Sequence, residues 1–272
     1  NKFYRQHTAI ISPANRGLRY GDGLFETMKM LNGNIINVDF HFDRLFNGLS
    51  LLQFALPALL DKKFIIKQVT GLCQKNKHSG SARIRLAVIR GNGGIFDPEN
   101  HAPNLIIESW ALDLPPKLNE NGLVTDVLPG VRKSCDEYSH LKSNNCQPYV
   151  LAALYAKKNR LNDCIVLNSF GHVCDSAIAN VFIVKGNQLF TPPLSEGCVA
   201  GVMRRWMLEK FSLGYYPIFE KALAIEDLLG ADELFFTNAI YHLKWVGNFM
   251  DKTYGNSITR KIYNHIIETI YG

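Results

Sequence analysis

The segment from Val173 to Arg204 constrains the fold of this chain more than any other. It holds an acid, Asp175, then an apolar run that ends at a Gly186-Asn187 turn, and then a Thr-Pro-Pro break. After the break, Gly201 opens an apolar helical run. The first N–H groups of a helix are unpaired and attract anions such as phosphate. The acid and the helix start together indicate a phosphorylated cofactor that is held at both ends.

Composition and charge exclude several classes of protein. With 47% hydrophobic and 20% charged residues over 272 positions, we expect a soluble globular protein with room for two modest cores. No apolar run reaches the roughly 18 residues of a membrane span, and the first residues lack the apolar core of a signal peptide. The net charge of +6 is spread along the chain, which favours a small anionic substrate over nucleic acid.

The six cysteines are scattered, without a CxxC pair or zinc-ligand spacing, so we expect reduced thiols, a cytoplasmic protein and no metal.

The order of strand and helix patterns predicts an α+β fold in two domains. Alternating residues from Leu24 to Met30 precede an Asn32-Gly33 hairpin signal, and Asp39 is the predicted cap of the helix that follows. The segment L-D-L-P-P-K-L-N-E-N-G is the best linker candidate, with the linker at residues 114–120. It divides the chain into a smaller N-terminal domain, residues 1–113, and a larger C-terminal domain, residues 121–272.

Two side chains have the chemistry that a pyridine cofactor would need. Lys142, just before a helix, is a candidate for a Schiff base, although a lone lysine is more often a solvated surface residue. Asp175 is a candidate partner for a protonated ring nitrogen, with an ordinary turn cap as the alternative.

Further residues are candidates for phosphate binding. They are the backbone at Gly201, Val202 and Met203, the hydroxyl of Thr237 at a strand end, and the guanidinium of Arg44. Each has an ordinary structural alternative: a glycine helix start, a strand end and a surface arginine.

Taken together, these segments resemble those of a known family in the correct order. They read R-G-L-R-Y-G-D-G-L-F-E-T, H-F-D-R-L, K-S-N-N, G-H-V-C-D-S-A-I-A-N-V-F-I-V, L-F-T-P-P-L, G-V-M-R and E-L-F-F-T-N. The family is that of the fold-type IV pyridoxal-phosphate enzymes, the class IV aminotransferases. The resemblance covers nearly the whole chain and implies a D-amino-acid aminotransferase-like α+β architecture, a homodimer, and pyridoxal 5′-phosphate between the two domains.

The resemblance also implies roles for single residues. Lys142 becomes the Schiff-base lysine, Asp175 the partner of the pyridine nitrogen, and Asn180 a further cofactor-binding residue. Arg44, Thr237 and the amides of Val202 and Met203 take the phosphate.

Three departures distinguish this chain within the family. Asp175 replaces the usual glutamate, Met203 replaces a threonine in the G-I-T-R loop, and Phe25 replaces a tyrosine that several members use for the substrate carboxylate. The last two, with R-G-N-G-G at 90–94, resemble 4-amino-4-deoxychorismate lyases. Ile95 and Phe96 occupy positions where such lyases often carry Arg and Tyr, so Phe25, Arg90 and His101 are the substrate-site candidates.

Three functions follow as hypotheses. The first is a lyase that eliminates pyruvate from 4-amino-4-deoxychorismate and supplies 4-aminobenzoate for folate synthesis. The second is a transaminase for D- or branched-chain amino acids, and the third is a non-catalytic binding protein on the same fold. The first two act on a small anionic amine.

Overall fold

The chain divides into two compact units. A computed structural model describes residues 2–78, 80–97, 99–112, 117–211 and 216–271. The first unit comprises Asn1–Leu114 with Lys142–Asn145, and the second comprises Pro115–Leu141 with Cys146–Gly272. The predicted linker, 114–120, falls partly on residues 113–116, outside the described residues, and the domain boundaries remain a prediction. The sequence did not predict that 142–145 would group with the first unit.

The first unit is a four-stranded sheet with helices. Its elements are α1 (Arg16–Tyr20), β1 (Gly23–Leu31), β2 (Asn34–Ile35), α2 (Val38–Leu51), α3 (Lys62–Lys75), β3 (Ser81–Arg90) and β4 (Pro103–Ala111). The strands are antiparallel in the order β2-β1-β3-β4. The predicted Asn32-Gly33 turn joins β1 to β2, with both residues at positive φ, as such a two-residue hairpin requires.

The two faces of this sheet differ in chemistry because side chains alternate along a strand. Met28, Met30, Ile84 and Leu86 are almost fully buried on one face. On the other face, the register sets Phe25, Thr27 and Lys29 of β1 beside Ala87, Arg85 and Arg83 of β3.

The predicted cap of α2 is wrong. The helix starts at Val38, two residues earlier than a cap at Asp39 would give, and its N-cap Asn37 is in a left-handed conformation and forms no side-chain cap hydrogen bond. Asp39 lies in the first turn instead, where its carboxylate forms an ion pair with Lys62 and is favoured by the helix dipole.

The short segment around Lys142 pairs with the edge of β1. The N–H of Phe25 donates to the carbonyl of Lys142 at 2.9 Å, and the N–H of Asn144 donates to that of Gly23 at 3.0 Å. These backbone bonds place Lys142 beside Phe25 and Ser143 opposite Leu24.

The second unit is a larger α+β body. Its elements are β5 (Leu123–Lys133), α4 (Gln147–Lys158), β6 (Asp163–Asn168), β7 (Val173–Ser176), β8 (Asn180–Lys185), β9 (Gln188–Thr191), a 3₁₀ turn (Leu194–Glu196), α5 (Val202–Trp206) with a π-helical extension (Met207–Phe211), β10 (Ile218–Glu220), α6 (Ile225–Leu229), β11 (Glu233–Asn238), β12 (His242–Phe249), β13 (Lys252–Thr253) and α7 (Ser257–Tyr271). The sequence patterns predict helices near 148–159, 202–211 and 258–270, and all three are present within a few residues. The segment 225–229, predicted only to be amphipathic, forms α6.

Six strands of this unit close into a ring. The order is β8-β11-β12-β5-β6-β7, and β7 pairs back onto β8 through Asp175 and Asn180. Strand β6 is buried on both faces: Ile165 and Leu167 join the core formed by alternate residues of β8 and β11, while Cys164 and Val166 pack against α4. Closure of the ring therefore sets Asp175 beside Asn180.

Within the described residues, no helix has the length and apolar character that crossing a bilayer requires.

Candidate functional site

A buried acid on β1 organises the polar residues of the first unit. The carboxylate of Glu26 accepts hydrogen bonds from Arg44 Nε at 2.7 Å and Nη2 at 2.5 Å, and it lies 2.6 Å from Nδ1 of His41. Arg44 and His41 are three residues apart on α2, so both side chains reach the same strand. The bidentate pair fixes the guanidinium of Arg44, whose assignment to phosphate remains a prediction.

The charges of this cluster are strongly coupled. Burial alone would raise the pKa of Glu26, but Arg44 and His41 outweigh it and lower the pKa to about 2. Burial lowers the pKa of His41 against the pull of Glu26. At neutral pH the cluster therefore contains the ionised carboxylate of Glu26, the cation of Arg44 and a neutral His41 imidazole that donates to Glu26 through Nδ1.

Lys142 lies against an aromatic ring that a second cation also contacts. Its Nζ lies 4.5 Å from the centroid of the Phe25 ring, and Cζ of Arg85 lies 4.4 Å from the same centroid. Arg85 also forms an ion pair with Glu108, which is long at 4.0 Å. The predicted residues Lys142 and Phe25 are therefore brought together, with Arg85 as an additional member.

Arg90 and His101, predicted to bind substrate, contact protein groups, and their assignment to substrate remains a prediction. Arg90 is buried and donates through Nε to Asp22, through Nη2 to the carbonyl of Leu52 at 2.6 Å, and through Nη1 to that of Gln53. His101 Nδ1 lies 3.3 Å from Arg90 and 3.2 Å from the Gln53 carbonyl. With its donors directed at the protein, Arg90 ties the end of β3 to the segment after α2.

Asp175 is the centre of the polar residues in the second unit. It is 2% exposed, and its Oδ2 accepts from Lys133 Nζ at 3.3 Å, the Tyr149 hydroxyl at 2.7 Å and the Val199 N–H at 3.0 Å. Its Oδ1 accepts from Asn180 Nδ2 at 2.9 Å. The alternative of a turn cap is wrong, because Asp175 lies within β7.

Asn180 connects Asp175 to the start of α5. Its Nδ2 also donates to the carbonyl of Val199 at 2.8 Å, and a Cβ added to Gly201 would overlap Asn180 Oδ1. No side chain caps α5, whose first residues are Val202 and Met203. The register places Thr237 of β11 opposite Asn180, and α5 packs against β11. Five of the predicted cofactor residues are thus brought together: Asp175, Asn180, Val202, Met203 and Thr237.

Thr237 carries an unusual polar atom. Its side chain is fully buried, and its Oγ1 has no hydrogen-bond partner among the described residues. An unpaired buried hydroxyl costs about 1–3 kcal/mol, so such an atom indicates a missing ligand or water.

Sequence reasoning missed several polar residues here: Glu26, Arg85, Lys133 and Tyr149. The alternation of R-I-R at 83–85 was a signal for Arg83 and Arg85 on one strand face. No sequence signal connects Lys133 or Tyr149 to Asp175, since the contacts depend on how β5, α4 and β7 pack.

A second lysine also has an unusual environment. Lys29 on β1 is 2% exposed, and burial lowers its pKa to about 8. It competes with Lys142 as a candidate for an uncharged, nucleophilic amine.

A metal site has no support in the described residues, where no group of three or more His, Cys, Asp or Glu side chains could hold an ion.

The comparisons with known proteins converge on one family. The profile of "Amino-transferase class IV" matches residues 23–243. A putative branched-chain-amino-acid aminotransferase of Methanocaldococcus jannaschii is 30% identical over 96% of this chain and 91% of its own length. An aminodeoxychorismate lyase of Bacillus subtilis is 29% identical over 94% of this chain and 87% of its own.

A solved structure agrees in fold. The branched-chain aminotransferase of Thermoproteus uzoniensis superposes with a TM-score of 0.86 at 21% identity, covering 97% of this chain and 91% of that one. The expected fold class, mixed helices and strands in the class IV arrangement, is confirmed. With a profile match over most of its length, the chain belongs to the class IV aminotransferase family, whose enzymes depend on pyridoxal phosphate.

Proposed function

We propose that this enzyme is a pyridoxal-phosphate-dependent lyase that converts 4-amino-4-deoxychorismate to 4-aminobenzoate and pyruvate. The observation that carries the proposal is the pair Arg83 and Arg85 on the same sheet face as Phe25, with Lys142 against the Phe25 ring. Other residues of the chain are assigned to the cofactor.

The second unit fits a phosphorylated pyridine. The partnerless hydroxyl of Thr237 and the uncapped start of α5 are two donors suited to a phosphate. Gly201 allows close approach, because any side chain there would collide with Asn180. Asp175 offers a buried carboxylate for a ring nitrogen. The family resemblance also assigns Arg44 to the phosphate and Lys142 to covalent attachment of the cofactor.

The cofactor, when bound, supplies the electron sink for the electrons released at the reacting carbon. The protein supplies the proton transfer. The amine of Lys142 takes the proton from C4 of the substrate ring, and the C–O bond to the enolpyruvyl group breaks, which makes the ring aromatic. The resulting ammonium of Lys142 returns the proton to the leaving enolpyruvate, which departs as pyruvate. The stacked ring of Phe25 limits where Lys142 Nζ can move.

The two arginines favour the lyase substrate over a simple amino acid. Arg83 and Arg85 project from one face of β3, about 7 Å apart at two residues of strand rise. 4-Amino-4-deoxychorismate carries two carboxylates, whereas a transaminase substrate such as alanine or leucine carries one. Arginine also binds carboxylate in a bidentate manner. We assign Arg85, next to Phe25, to one carboxylate and Arg83 to the other.

The test is a reaction with no amino acceptor. We expect the enzyme given 4-amino-4-deoxychorismate, without any 2-oxo acid, to release pyruvate and 4-aminobenzoate in equal amounts. Release of pyruvate only when a 2-oxo acid is added would contradict the lyase assignment.

Arginine variants sharpen this test. We expect Arg85→Gln and Arg83→Gln each to raise KM about 10-fold or more, since each loses a charge-assisted contact worth about 1.5–3 kcal/mol. Arg132→Gln, an arginine with its Nη1 on a neighbouring carbonyl, is the matched control and should leave KM unchanged.

A transaminase is the second candidate, favoured by the 30% identity to the putative branched-chain enzyme. It predicts that leucine or D-alanine converts the bound cofactor to its amine form in a half-reaction. The third hypothesis, a non-catalytic protein, is wrong, because the chain belongs to a family of pyridoxal-phosphate-dependent enzymes.

A homodimer is also part of the proposal, from family resemblance, and the cytoplasmic location is a further expectation. Light scattering that gives the mass of one chain at working concentration would contradict the dimer.

A further inference from the structure

Asp175 is not held as an isolated carboxylate. Lys133 on β5 lies 3.3 Å from Oδ2 and also donates to the carbonyl of Gly197. Tyr149 on α4 donates to the same Oδ2, and the ammonium of Lys133 lies 5.2 Å from the Tyr149 ring centroid. A buried lysine, a buried aspartate and a partly buried tyrosine thus form a triad.

The two carboxylate oxygens differ in what they can still accept. A carboxylate has about four acceptor sites, two on each oxygen. The three donors on Oδ2 are Lys133, Tyr149 and Val199, which fill that oxygen, whereas Oδ1 accepts only from Asn180 among the described residues. Oδ1 is therefore the oxygen that can accept a further hydrogen bond. Asn180, which donates to Oδ1, also donates to the Val199 carbonyl just before Gly201.

The triad also determines the net charge beside a ring nitrogen that donates to Asp175. A protonated ring nitrogen beside a lone buried carboxylate is stabilised by a full negative charge. Beside a Lys–Asp pair the net charge is zero, and a fixed cation lowers the proton affinity of every group near it. The tyrosine donor acts in the same direction, because it stabilises the ionised carboxylate.

We propose that Lys133 is a positioning residue that, through Asp175 and with Tyr149, directs Oδ1 to the cofactor ring nitrogen and weakens the hold of that nitrogen on its proton. This inference rests on the proposed function, since it takes pyridoxal phosphate as the ligand of Asp175. It deepens that function by giving a role to Lys133 and Tyr149. It also offers a reason for aspartate at 175: the shorter carboxylate is held in place by groups from β5 and α4.

The other titratable groups around Asp175 do not carry charge that would replace that of Lys133. Burial, then Asp175, raises the pKa of Tyr149 well above its ordinary value, so the phenol stays protonated and donates. Burial likewise raises the pKa of Cys198 to about 12 and that of Cys174 further, so both thiols are neutral. Among the described residues, two ion pairs lie near these thiols: Arg204–Glu220, and His172–Glu196, which is an ion pair only when His172 is protonated.

The experiment measures the ring nitrogen directly. The wild-type enzyme and the variants Lys133→Met, Lys133→Arg and Tyr149→Phe are loaded with pyridoxal phosphate labelled with ¹⁵N in the ring, and the nitrogen chemical shift is followed against pH. We expect Lys133→Met to raise the pKa of the ring nitrogen by about one or more, a tenfold gain in proton affinity. Lys133→Arg, which keeps the cation, should titrate like the wild type, and Tyr149→Phe should move in the direction of Lys133→Met by a smaller amount.

Two failures are distinguishable. Loaded Lys133→Met that titrates like the wild type, with borohydride still fixing the cofactor to Lys142, would overturn the inference and leave the proposed function standing. If the wild type does not bind the cofactor, both fall. Should Lys133→Met not fold, an unchanged pKa in Tyr149→Phe would overturn the inference equally.

Discussion

The two units of this chain present their polar residues in opposite ways. In the first unit, the buried acid Glu26 is matched by Arg44 and His41, which form a compact ionic cluster. In the second unit, the buried hydroxyl of Thr237 has no partner in the described residues, and the start of α5 has no side-chain cap. In the first unit the charged groups satisfy one another, whereas the second unit has hydrogen-bond donors that a ligand would satisfy.

This difference predicts different responses of the two units to a ligand and to acid. A ligand that binds only the folded state stabilises the residues it contacts by mass action. We expect added pyridoxal phosphate to protect β11 and the start of α5 in hydrogen exchange more than α3, which carries none of the residues assigned to the cofactor. The following changes test the contrast, from the largest expected effect to the smallest.

Lys142→Ala should remove the chemistry of the first unit without removing its fold. A positioned proton-transfer group contributes about 10²–10⁴-fold to rate, and we expect a loss of at least this size in kcat. The melting temperature of the apoprotein should stay close to that of the wild type. Lys67→Ala on α3 is the matched control, and an equal loss of kcat there would contradict the role of Lys142.

Glu26→Gln should destabilise the first unit strongly. It leaves Arg44 and His41 without their carboxylate, and breaking a buried ion pair in this way costs about 3–5 kcal/mol. Chemical denaturation measures the change in unfolding free energy. Glu108→Gln, in a long and partly exposed ion pair, should change it by less than about 1 kcal/mol. Equal effects would mean that the Glu26 cluster is not what supports this unit.

Acid should weaken the first unit before the second. The pKa of Glu26 is lowered to about 2 in the fold, so the stability it contributes is complete above its unfolded pKa and is lost as pH falls from there toward 2. The lowered pKa of His41 acts in the same direction, beginning as pH falls below its ordinary value. Asp163 in the second unit has a raised pKa, mainly from burial, and gains relative stability when protonated. Hydrogen exchange corrected for intrinsic rates should show β1 opening at a higher pH than β6, and the reverse order would contradict this reading.

Gly201→Ala should affect ligand binding in the second unit. The new Cβ would overlap Asn180 Oδ1, so Asn180 has to move and its bond to Asp175 is disturbed. Overpacking of this kind costs about 1–3 kcal/mol, and we expect cofactor affinity to fall by about 10–100-fold. Gly255→Ala, whose Cβ meets no atom within 4 Å, is the control. An unchanged cofactor Kd in Gly201→Ala would show that this helix start does not face the ligand.

Thr237→Val should produce two effects of opposite sign. Removing a buried hydroxyl that has no partner should stabilise the apoprotein by about 1 kcal/mol, while cofactor affinity falls about 10-fold as a phosphate donor is lost. Thr191→Val is the matched control, because its buried Oγ1 donates to the Val181 carbonyl at 2.8 Å and its loss should destabilise. A Thr237→Val apoprotein less stable than the wild type would mean that the hydroxyl already has a partner.

Local sequence signals predicted much of the fold. The Asn32-Gly33 and Gly186-Asn187 turns and the alternating strand after Gly23 depend on neighbouring residues and are confirmed. Among the residues that the family motifs single out, Lys142 lies against the Phe25 ring and Thr237 lies opposite Asn180. Asp39 failed as a cap because the left-handed Asn37 already ends the preceding turn.

What the sequence could not predict depends on distant packing. Arg90 looked available for substrate, yet its donors are used by Asp22 and by two carbonyls after α2, which no local pattern reveals. Lys133 and Tyr149 meet Asp175 only because β5, α4 and β7 pack together around the closed ring. No periodic pattern in the sequence indicates contacts between residues so far apart along the chain.

The most direct test asks which lysine holds the cofactor. The enzyme loaded with pyridoxal phosphate is reduced with borohydride, digested, and its modified peptide is sequenced by mass spectrometry. The account predicts a single label on Lys142, absent from Lys142→Ala. A label on Lys29 or Lys133, or a protein that takes up no cofactor, would contradict it.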